Sequence, residues 1–274
     1  MENIVDFSHL GYTARYLHLE KKDRPTLIFL MGSLQEIESV QVFNRAFSSH
    51  YNYFAIELPG SGTTEPLHPK FRVDFLAGFL DVMVKKLGIQ EFHLVACSYA
   101  TAIALEYAKL DDARLSRMVL AGSMMDIPLS EWPTMLQLMR DCAFDTPQFA
   151  VGFIDLLTEK NGMVARQDTI RKAAVRKAAK YRSENFWHFV FNTIRLMCYE
   201  PSELHRIHVP SLVFTGEHDP YVKPEHSERL AKEMGNADFA LVRDCDHLFH
   251  IEQPQQTVEL ILSFLRQHAA DIAA

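Results

Sequence analysis

The amino-acid sequence predicts an α/β fold in which a mostly parallel central sheet carries helices on both faces. Most of six short runs rich in β-branched and aromatic residues are almost continuously apolar, as expected of strands that are covered on both sides. These runs alternate with helix-length segments, and the alternation is typical of parallel strands joined by right-handed crossovers. The chain of 274 residues, of which 48% are hydrophobic and 23% charged, is long enough to bury a large core.

The individual elements follow from these patterns in chain order. Two stretches, at residues 4–7 and 14–19, predict an antiparallel hairpin at one edge of the sheet. The other predicted strands are Thr26–Leu30, 53–57, 92–96, 117–121, 211–215 and 239–242. The predicted helices are 38–49, 73–87, 100–110, 225–235 and 254–268.

One interval, residues 125–207, interrupts the alternation because it contains helical patterns and no convincing strand. It is too long for a single crossover, so we predict a helical lid inserted between two strands of the sheet. The first part of the core is then residues 1–124, and the second part is residues 208–274. The alternative is a stack of ordinary helices that flank the sheet.

The composition argues against several classes of protein. The 28 Lys and Arg residues against 35 Asp and Glu residues give a net charge of -7, which argues against nucleic-acid binding. The four cysteines have no paired spacing, which argues against a disulfide framework or a zinc site. The first residues lack the pattern of a signal peptide, and the apolar runs are far shorter than the roughly 20 residues of a membrane span. We therefore expect a cytoplasmic protein.

Ser98 lies where the predicted strand 92–96 runs into the predicted helix 100–110. A serine at the tip of such a turn has the geometry of a nucleophile elbow, which requires small residues two positions before and two positions after it. Ala96 and Ala100 are small, although glycine is usual at both positions. The alternative is a serine that only caps the helix, and this segment alone does not decide between them.

Two further residues follow later strands in an order that favours catalysis. Asp219 comes after strand 211–215, and His247 comes after strand 239–242. The carboxyl ends of parallel strands share one edge of a sheet, where ligands bind, so Ser98, Asp219 and His247 are expected to meet there. His247 would accept the Ser98 proton as general base, while Asp219 would orient the ring. Asp126 is a rival acid after strand 117–121, and we prefer Asp219.

The turn after the first parallel strand, residues 31–34, contains Gly32 and is a candidate oxyanion turn. The predicted backbone donors to an oxyanion are the N–H groups of Ser33 and Tyr99. The alternative is a plain glycine turn. The predicted substrate contacts are Met31, Leu34, Met125, Trp187 and Leu248.

Taken together, these segments resemble the α/β-hydrolase fold superfamily over most of the chain. The matching segments are 31–34 (MGSL), 57–62 (ELPGSG), 96–100 (ACSYA), 216–219 (GEHD) and 246–247 (DH). The sequence departs from the usual pattern at Met31, where the superfamily has His, and at Ala96 and Ala100, where it has Gly. Over short segments it also resembles bacterial enzymes that handle 3-hydroxyacyl chains, namely rhamnolipid-precursor synthases, hydroxyacyl transacylases and medium-chain polyester depolymerases.

These observations predict a serine-dependent acyl hydrolase that cleaves a carboxylic ester or thioester through an acyl-enzyme. One alternative is an acyltransferase with the same triad, because an alcohol or thiol can replace water in the second half-reaction. Another is a catalytically silent binding protein on the same scaffold. We predict no cofactor, since no G-x-G-x-x-G follows the first strand and no P-loop is present. We also predict no metal.

The segment 160–182 is strongly basic. It contains one acidic residue, Asp168, and eight basic ones: Lys160, Arg166, Arg171, Lys172, Arg176, Lys177, Lys180 and Arg182. The segment predicts a solvated helix face, or alternatively a docking surface for an anionic partner such as an acyl carrier protein or a CoA phosphate.

Overall fold

A computed structural model describes residues 4–110, 113–159, 162–181 and 183–272. Its centre is an eight-stranded sheet with the strand order β1-β2-β4-β3-β5-β6-β7-β8. The strands are β1 (Ile4–His9), β2 (Tyr12–Leu19), β3 (Thr26–Leu30), β4 (Asn52–Glu57), β5 (Phe92–Cys97), β6 (Leu115–Ala121), β7 (Ser211–Gly216) and β8 (Ala237–Val242). The predicted strands therefore all form, some of them longer by one or two residues at an end.

The sheet combines an antiparallel edge with a parallel body. β1 pairs with β2, and β2 pairs with β4, both antiparallel. All the remaining pairs, from β4 through to β8, are parallel. β5 and β7 are buried along their whole length, as expected of apolar strands covered on both faces. The predicted fold class is confirmed.

Helices cover both faces of this sheet. They are α1 (Gln41–Ser48), α2 (Val73–Lys86), α3 (Ala100–Ala108), α4 (Trp132–Phe144), α5 (Thr146–Leu157), α6 (Gln167–Ala178), α7 (Ser183–Met197), α8 (Pro224–Glu233), α9 (Phe249–Glu252) and α10 (Pro254–Ile272). The predicted helix 38–49 is divided at Val40, whose backbone (φ -108°, ψ 33°) is not helical. A short 3-10 turn, Ile37–Ser39, precedes that break.

The core has two halves because alternate residues of a strand point to opposite faces. In β3, Ile28 packs in the cluster that α2, α3 and α8 complete. Its neighbours Leu27 and Phe29 pack in the second cluster, with residues of α1 and α10. The sheet is thereby held between two layers, which leaves its carboxyl edge free for a site.

Between β6 and β7 the described residues form helices α4 to α7 and no strand. We call residues 125–207 the helical insertion. It has a small apolar cluster of its own, built around Met135, Leu138, Phe149 and Phe189. Within the described part of the chain, no helix is both long and apolar enough to cross a membrane.

Arg195 of α7 connects the helical insertion to the body of the protein. Its guanidinium group donates to the carbonyl oxygens of Leu67 at 2.8 Å and Phe71 at 2.7 Å. It also donates to the hydroxyl of Tyr99 at 2.9 Å and to the side-chain oxygen of Asn192. Arg195 is only 2% exposed, so these acceptors take the place of water around a buried charge.

Candidate active site

Ser98 lies in a tight turn between β5 and α3. Its φ is +49°, a left-handed conformation that is uncommon for a residue with a side chain. The turn is held because Ser98 N–H donates to Ala121 O at 2.7 Å, while Thr101 N–H donates to Ser98 O at 2.9 Å. Ala96 and Ala100 are buried on either side. The backbone thus has the shape expected of a nucleophile elbow, with alanine in the two small positions.

The side chains of Ser98, His247 and Asp219 form one hydrogen-bonded line. Ser98 Oγ lies 3.1 Å from His247 Nε2, and His247 Nδ1 lies 2.6 Å from Asp219 Oδ2. The three residues follow β5, β8 and β7 at their carboxyl ends, as the sequence analysis expected. Both spacings are within hydrogen-bond reach of a nucleophile, a base and an orienting acid.

Asp219 is almost completely enclosed and is fixed by its own loop. Its Oδ1 accepts from the backbone N–H groups of Tyr221 at 3.0 Å and Val222 at 2.8 Å. Its Oδ2 accepts from the Thr215 hydroxyl at 2.6 Å, in addition to its contact with His247. The carboxylate therefore has a single orientation toward the imidazole.

The electrostatics of His247 suit a base. Burial lowers the pKa of the His247 imidazole, but the charge and hydrogen bond of the Asp219 carboxylate, together with the charges of Glu252 and Asp246, raise that pKa above its ordinary value. Asp126, the rival acid, lies at the wall of the cavity. In the described hydrogen bonds, the carboxylate that accepts from His247 Nδ1 is that of Asp219.

The loop that carries His247 is bound to the helical insertion. His247 N–H donates to Leu157 O at 3.2 Å. The neighbouring Asp246 Oδ2 accepts from Gln167 Nε2 at 2.8 Å and from Glu159 N–H at 3.2 Å. Burial raises the pKa of the Asp246 carboxyl to about 6. Gln167 gave no signal in the sequence, because its role depends on a contact 79 residues along the chain.

The predicted oxyanion turn brings Gly32 against the elbow. A Cβ atom at Gly32 would lie 3.3 Å from Ser98 Cβ, so a larger residue would press on the nucleophile. Leu34, with φ +59°, turns the chain sharply. Ser33 and Tyr99 line the cavity beside Ser98. Among the described residues, no hydrogen-bond acceptor occupies the backbone N–H of either one.

A mostly apolar cavity opens above Ser98, between the sheet and the helical insertion. Its apolar wall includes Met125, Ile127, Met135, Phe153, Leu156, Leu157, Phe189 and Leu196. Of the predicted substrate contacts, Leu34, Met125 and Leu248 line it.

The structure places the other two predicted contacts elsewhere. Met31 continues the alternation of β3 and is buried in the core beside Phe29, with 4% of its surface exposed. Trp187 lies on the outer side of α7, 47% exposed, where its ring packs against Phe186 and Phe191. Neither belongs to the described lining of the cavity. The register of β3 places Met31 and the rotation of α7 places Trp187, and local composition predicts neither register nor rotation.

A possible ligand cluster lies near the surface. Glu217, His218 and Asp244 are described residues whose potential ligand atoms lie within 4.8 Å of one another. The Glu217 carboxylate already accepts from Arg243 Nη1 at 2.6 Å and from Asp244 N–H at 3.2 Å. A surface ion pair accounts for this grouping, and the absence of a metal requirement stays a prediction.

The family model described as alpha/beta hydrolase fold matches residues 25–254. A poly(3-hydroxyalkanoate) depolymerase of Ectopseudomonas oleovorans is 26% identical over 247 residues, which cover 89% of this chain and 84% of that protein. Carboxylesterase YbfK of Bacillus subtilis (strain 168) is 25% identical over 255 residues, which cover 89% and 81%.

A solved structure has the same fold. MGS-M2, an alpha/beta hydrolase enzyme from a Medee basin deep-sea metagenome library, superposes with a TM-score of 0.85. The match covers 95% of this chain and 97% of that one, at 17% sequence identity. With the family model matching most of its length, the chain belongs to the alpha/beta hydrolase fold family and is an enzyme of the hydrolase type.

Proposed function

We propose that this protein is a serine-dependent acyl hydrolase that cleaves a carboxylic ester or thioester through an acyl-enzyme. The observation that carries the proposal is the hydrogen-bonded line from Ser98 through His247 to Asp219. The similarity to a depolymerase and a carboxylesterase supports the same class of reaction.

In the first half-reaction, Ser98 Oγ attacks the carbonyl carbon of the substrate as His247 Nε2 takes the hydroxyl proton. The carbonyl oxygen becomes an oxyanion, which the backbone N–H groups of Ser33 and Tyr99 stabilise. Asp219 stabilises the imidazolium ion. The bond to the leaving group then breaks, and His247 returns its proton to the departing alcohol or thiol.

In the second half-reaction, water attacks the acyl-enzyme while His247 accepts one of its protons. A second tetrahedral oxyanion forms and collapses, releasing the carboxylic acid. The proton on His247 returns to Ser98 Oγ, which restores the enzyme. The 3.1 Å contact between Nε2 and the serine oxygen serves the first proton transfer, from Ser98, and the last one, back to Ser98.

The cavity supports an apolar acyl group as the part of the substrate that is recognised. Side chains such as Phe153, Leu156 and Phe189 come from the helical insertion and face the elbow across this space. In this proposal, residues 125–207 act as a lid over a core made of residues 1–124 and 208–274. The predicted contacts Leu34, Met125 and Leu248 would touch the acyl group. The predicted cytoplasmic location stays a prediction.

Labelling with a fluorophosphonate tests the nucleophile directly. The wild type should be labelled at Ser98 and should hydrolyse a simple ester, whereas Ser98→Ala should do neither. Ser8→Ala, at an exposed position of β1, is the matched control and should behave like the wild type. A folded wild type that takes no label and turns over no ester would favour the silent binding protein.

Product analysis then separates hydrolysis from acyl transfer. With a 3-hydroxyacyl thioester as substrate, a hydrolase releases the free acid and the thiol in equal amounts. A transferase releases the thiol while an added alcohol acceptor carries the acyl group. We expect free acid even when the acceptor is present in excess.

The basic helix α6 offers a second test, on carrier-linked substrates. Lys160 and Arg182 lie outside the described residues, and Arg171 pairs with Asp155. Lys172 and Arg176 are exposed. If α6 docks an anionic carrier, K172E/R176E should reduce turnover of a carrier-linked thioester and leave a simple ester unaffected. A double variant that turns over both substrates at the wild-type rate would identify α6 as an ordinary solvated face.

A further inference from the structure

The side chain of Gln35 connects the candidate oxyanion turn to the segment that carries the base. Its Oε1 accepts from Gly32 N–H at 2.9 Å, within the turn. Its Nε2 lies 3.3 Å from Nε2 of His250, on the short helix α9. Gln35 and His250 both line the cavity. One amide thus joins the turn after β3 to a helix that begins just after His247.

The hydrogen-bond chemistry fixes the orientation of this amide. Gly32 N–H can only donate, so the amide oxygen must face it and the amide NH2 must face His250. His250 Nε2 must then accept, which places the ring proton on Nδ1. Burial, followed by the charges of His247 and Lys177, lowers the pKa of His250 to about 4, so the ring stays neutral at physiological pH. The connection is therefore intact under ordinary assay conditions.

We infer that Gln35 is a positioning residue for the oxyanion turn and that His250 anchors its amide. The inference rests on the proposed function. By occupying Gly32 N–H, Gln35 removes that group from the donors of the turn, of which Ser33 N–H is the predicted oxyanion donor. By donating to His250, it also holds that donor at a set position relative to the loop of His247.

The packing around Gly32 explains why this connection should affect catalysis. The Cβ position of Gly32 lies 3.3 Å from Gln35 Oε1 and 3.3 Å from Ser98 Cβ, so amide, turn and nucleophile pack tightly together. A displaced amide lets the turn move relative to the nucleophile. Oxyanion donors must be placed within about 0.5 Å, and misplacement by about 1 Å can cost about 100-fold in rate.

The first test replaces the amide while keeping the side-chain length. In Gln35→Met we expect kcat for a simple ester to fall by about 10- to 100-fold, with KM changed less than about threefold, because the turn acts on the oxyanion of the transition state. Gln255→Met, at an exposed position of α10, is the matched control and should retain wild-type values. Circular dichroism and thermal unfolding show whether both variants fold.

The second test examines the anchor. His250→Leu removes the acceptor and should lower kcat to a similar extent, whereas His250→Gln keeps a carbonyl acceptor and should recover most of it. Combining Gln35→Met with His250→Leu should lower kcat no further than either change alone, since both break one connection.

Three results would overturn the inference. The first is a kcat that is unchanged in folded Gln35→Met and His250→Leu, and the second is a loss confined to KM. The third is a double variant whose losses in kcat add up, which would show that the two side chains act separately.

If Gln35→Met does not fold, the comparison of His250→Leu with His250→Gln decides. A wild type that neither hydrolyses ester nor takes the fluorophosphonate refutes the proposed function as well, whereas an active wild type with unaffected variants refutes this inference alone.

Discussion

Replacing Asp219 with asparagine exchanges one carboxylate oxygen for an NH2 group at the end of the hydrogen-bonded line Ser98–His247–Asp219. The effect on His247 can be derived from the hydrogen bonds around residue 219. Tyr221 N–H and Val222 N–H donate to Oδ1, so the oxygen of the new amide must stay there. The amide NH2 then takes the place of Oδ2 and faces His247 Nδ1, 2.6 Å away. The NH2 can only donate, so Nδ1 must accept.

The ring proton therefore moves to Nε2, where it points at Ser98 Oγ and prevents His247 from acting as base. An equivalent change of tautomer in a Ser-His-Asp triad lowers kcat by roughly 10⁴-fold, or about 5 kcal/mol of transition-state stabilisation. The fold should survive, because the Thr215 hydroxyl can accept from the new NH2 while donating to Val222 O, 3.2 Å away.

The assay is steady-state hydrolysis of a simple ester, with urea unfolding to confirm stability. Asp219→Asn should lose about 10⁴-fold in kcat/KM. Asp126→Asn, which alters the rival acid, should lose less than about tenfold, and Asp238→Asn, at an exposed position of β8, should match the wild type. A stable Asp219→Asn enzyme within tenfold of wild type would refute the assignment, as would a larger loss in Asp126→Asn.

Three further changes test the site and its support. Because only neutral His247 can accept a proton, kcat/KM should fall as pH drops through its raised pKa, and a pH profile flat down to pH 5 would contradict this. Arg195→Met leaves buried acceptors unpaired, so it should lower the free energy of unfolding in urea by about 3 kcal/mol. The control Arg206→Met, at an exposed position, should change that free energy by less than about 0.5 kcal/mol. Gly62→Ala should lower the free energy of unfolding by more than about 2 kcal/mol, because the new Cβ would lie 2.0 Å from the Glu57 carboxyl carbon and residue 62 has a φ of +58°. An unchanged melting temperature would disprove the clash.

The fold and the three central side chains could be predicted from sequence because their signals are local or follow from topology. Apolar runs mark buried strands wherever they occur, and small residues around Ser98 mark a tight turn. Parallel strands bring their carboxyl ends to one edge, so the residues after β5, β7 and β8 had to be neighbours.

The supporting contacts could not be predicted in the same way. Gln35 and His250 are 215 residues apart, and each is unremarkable in its own segment. The sequence around Arg195 is that of an ordinary helix, and only the fold brings the carbonyl oxygens of Leu67 and Phe71 to its guanidinium group. Met31 and Trp187 were expected at the cavity from their apolar character, yet the register of β3 and the rotation of α7 direct them away.

The sequence by itself therefore predicted the α/β class, the positions of the strands along the chain and the candidate serine, acid and base. These depend on apolar periodicity and on turns, which are properties of neighbouring residues. Only the tertiary structure decided that Gly32 N–H in the candidate oxyanion turn is occupied and which apolar side chains face the cavity. Those features depend on the direction of individual side chains, and packing between distant segments sets that direction.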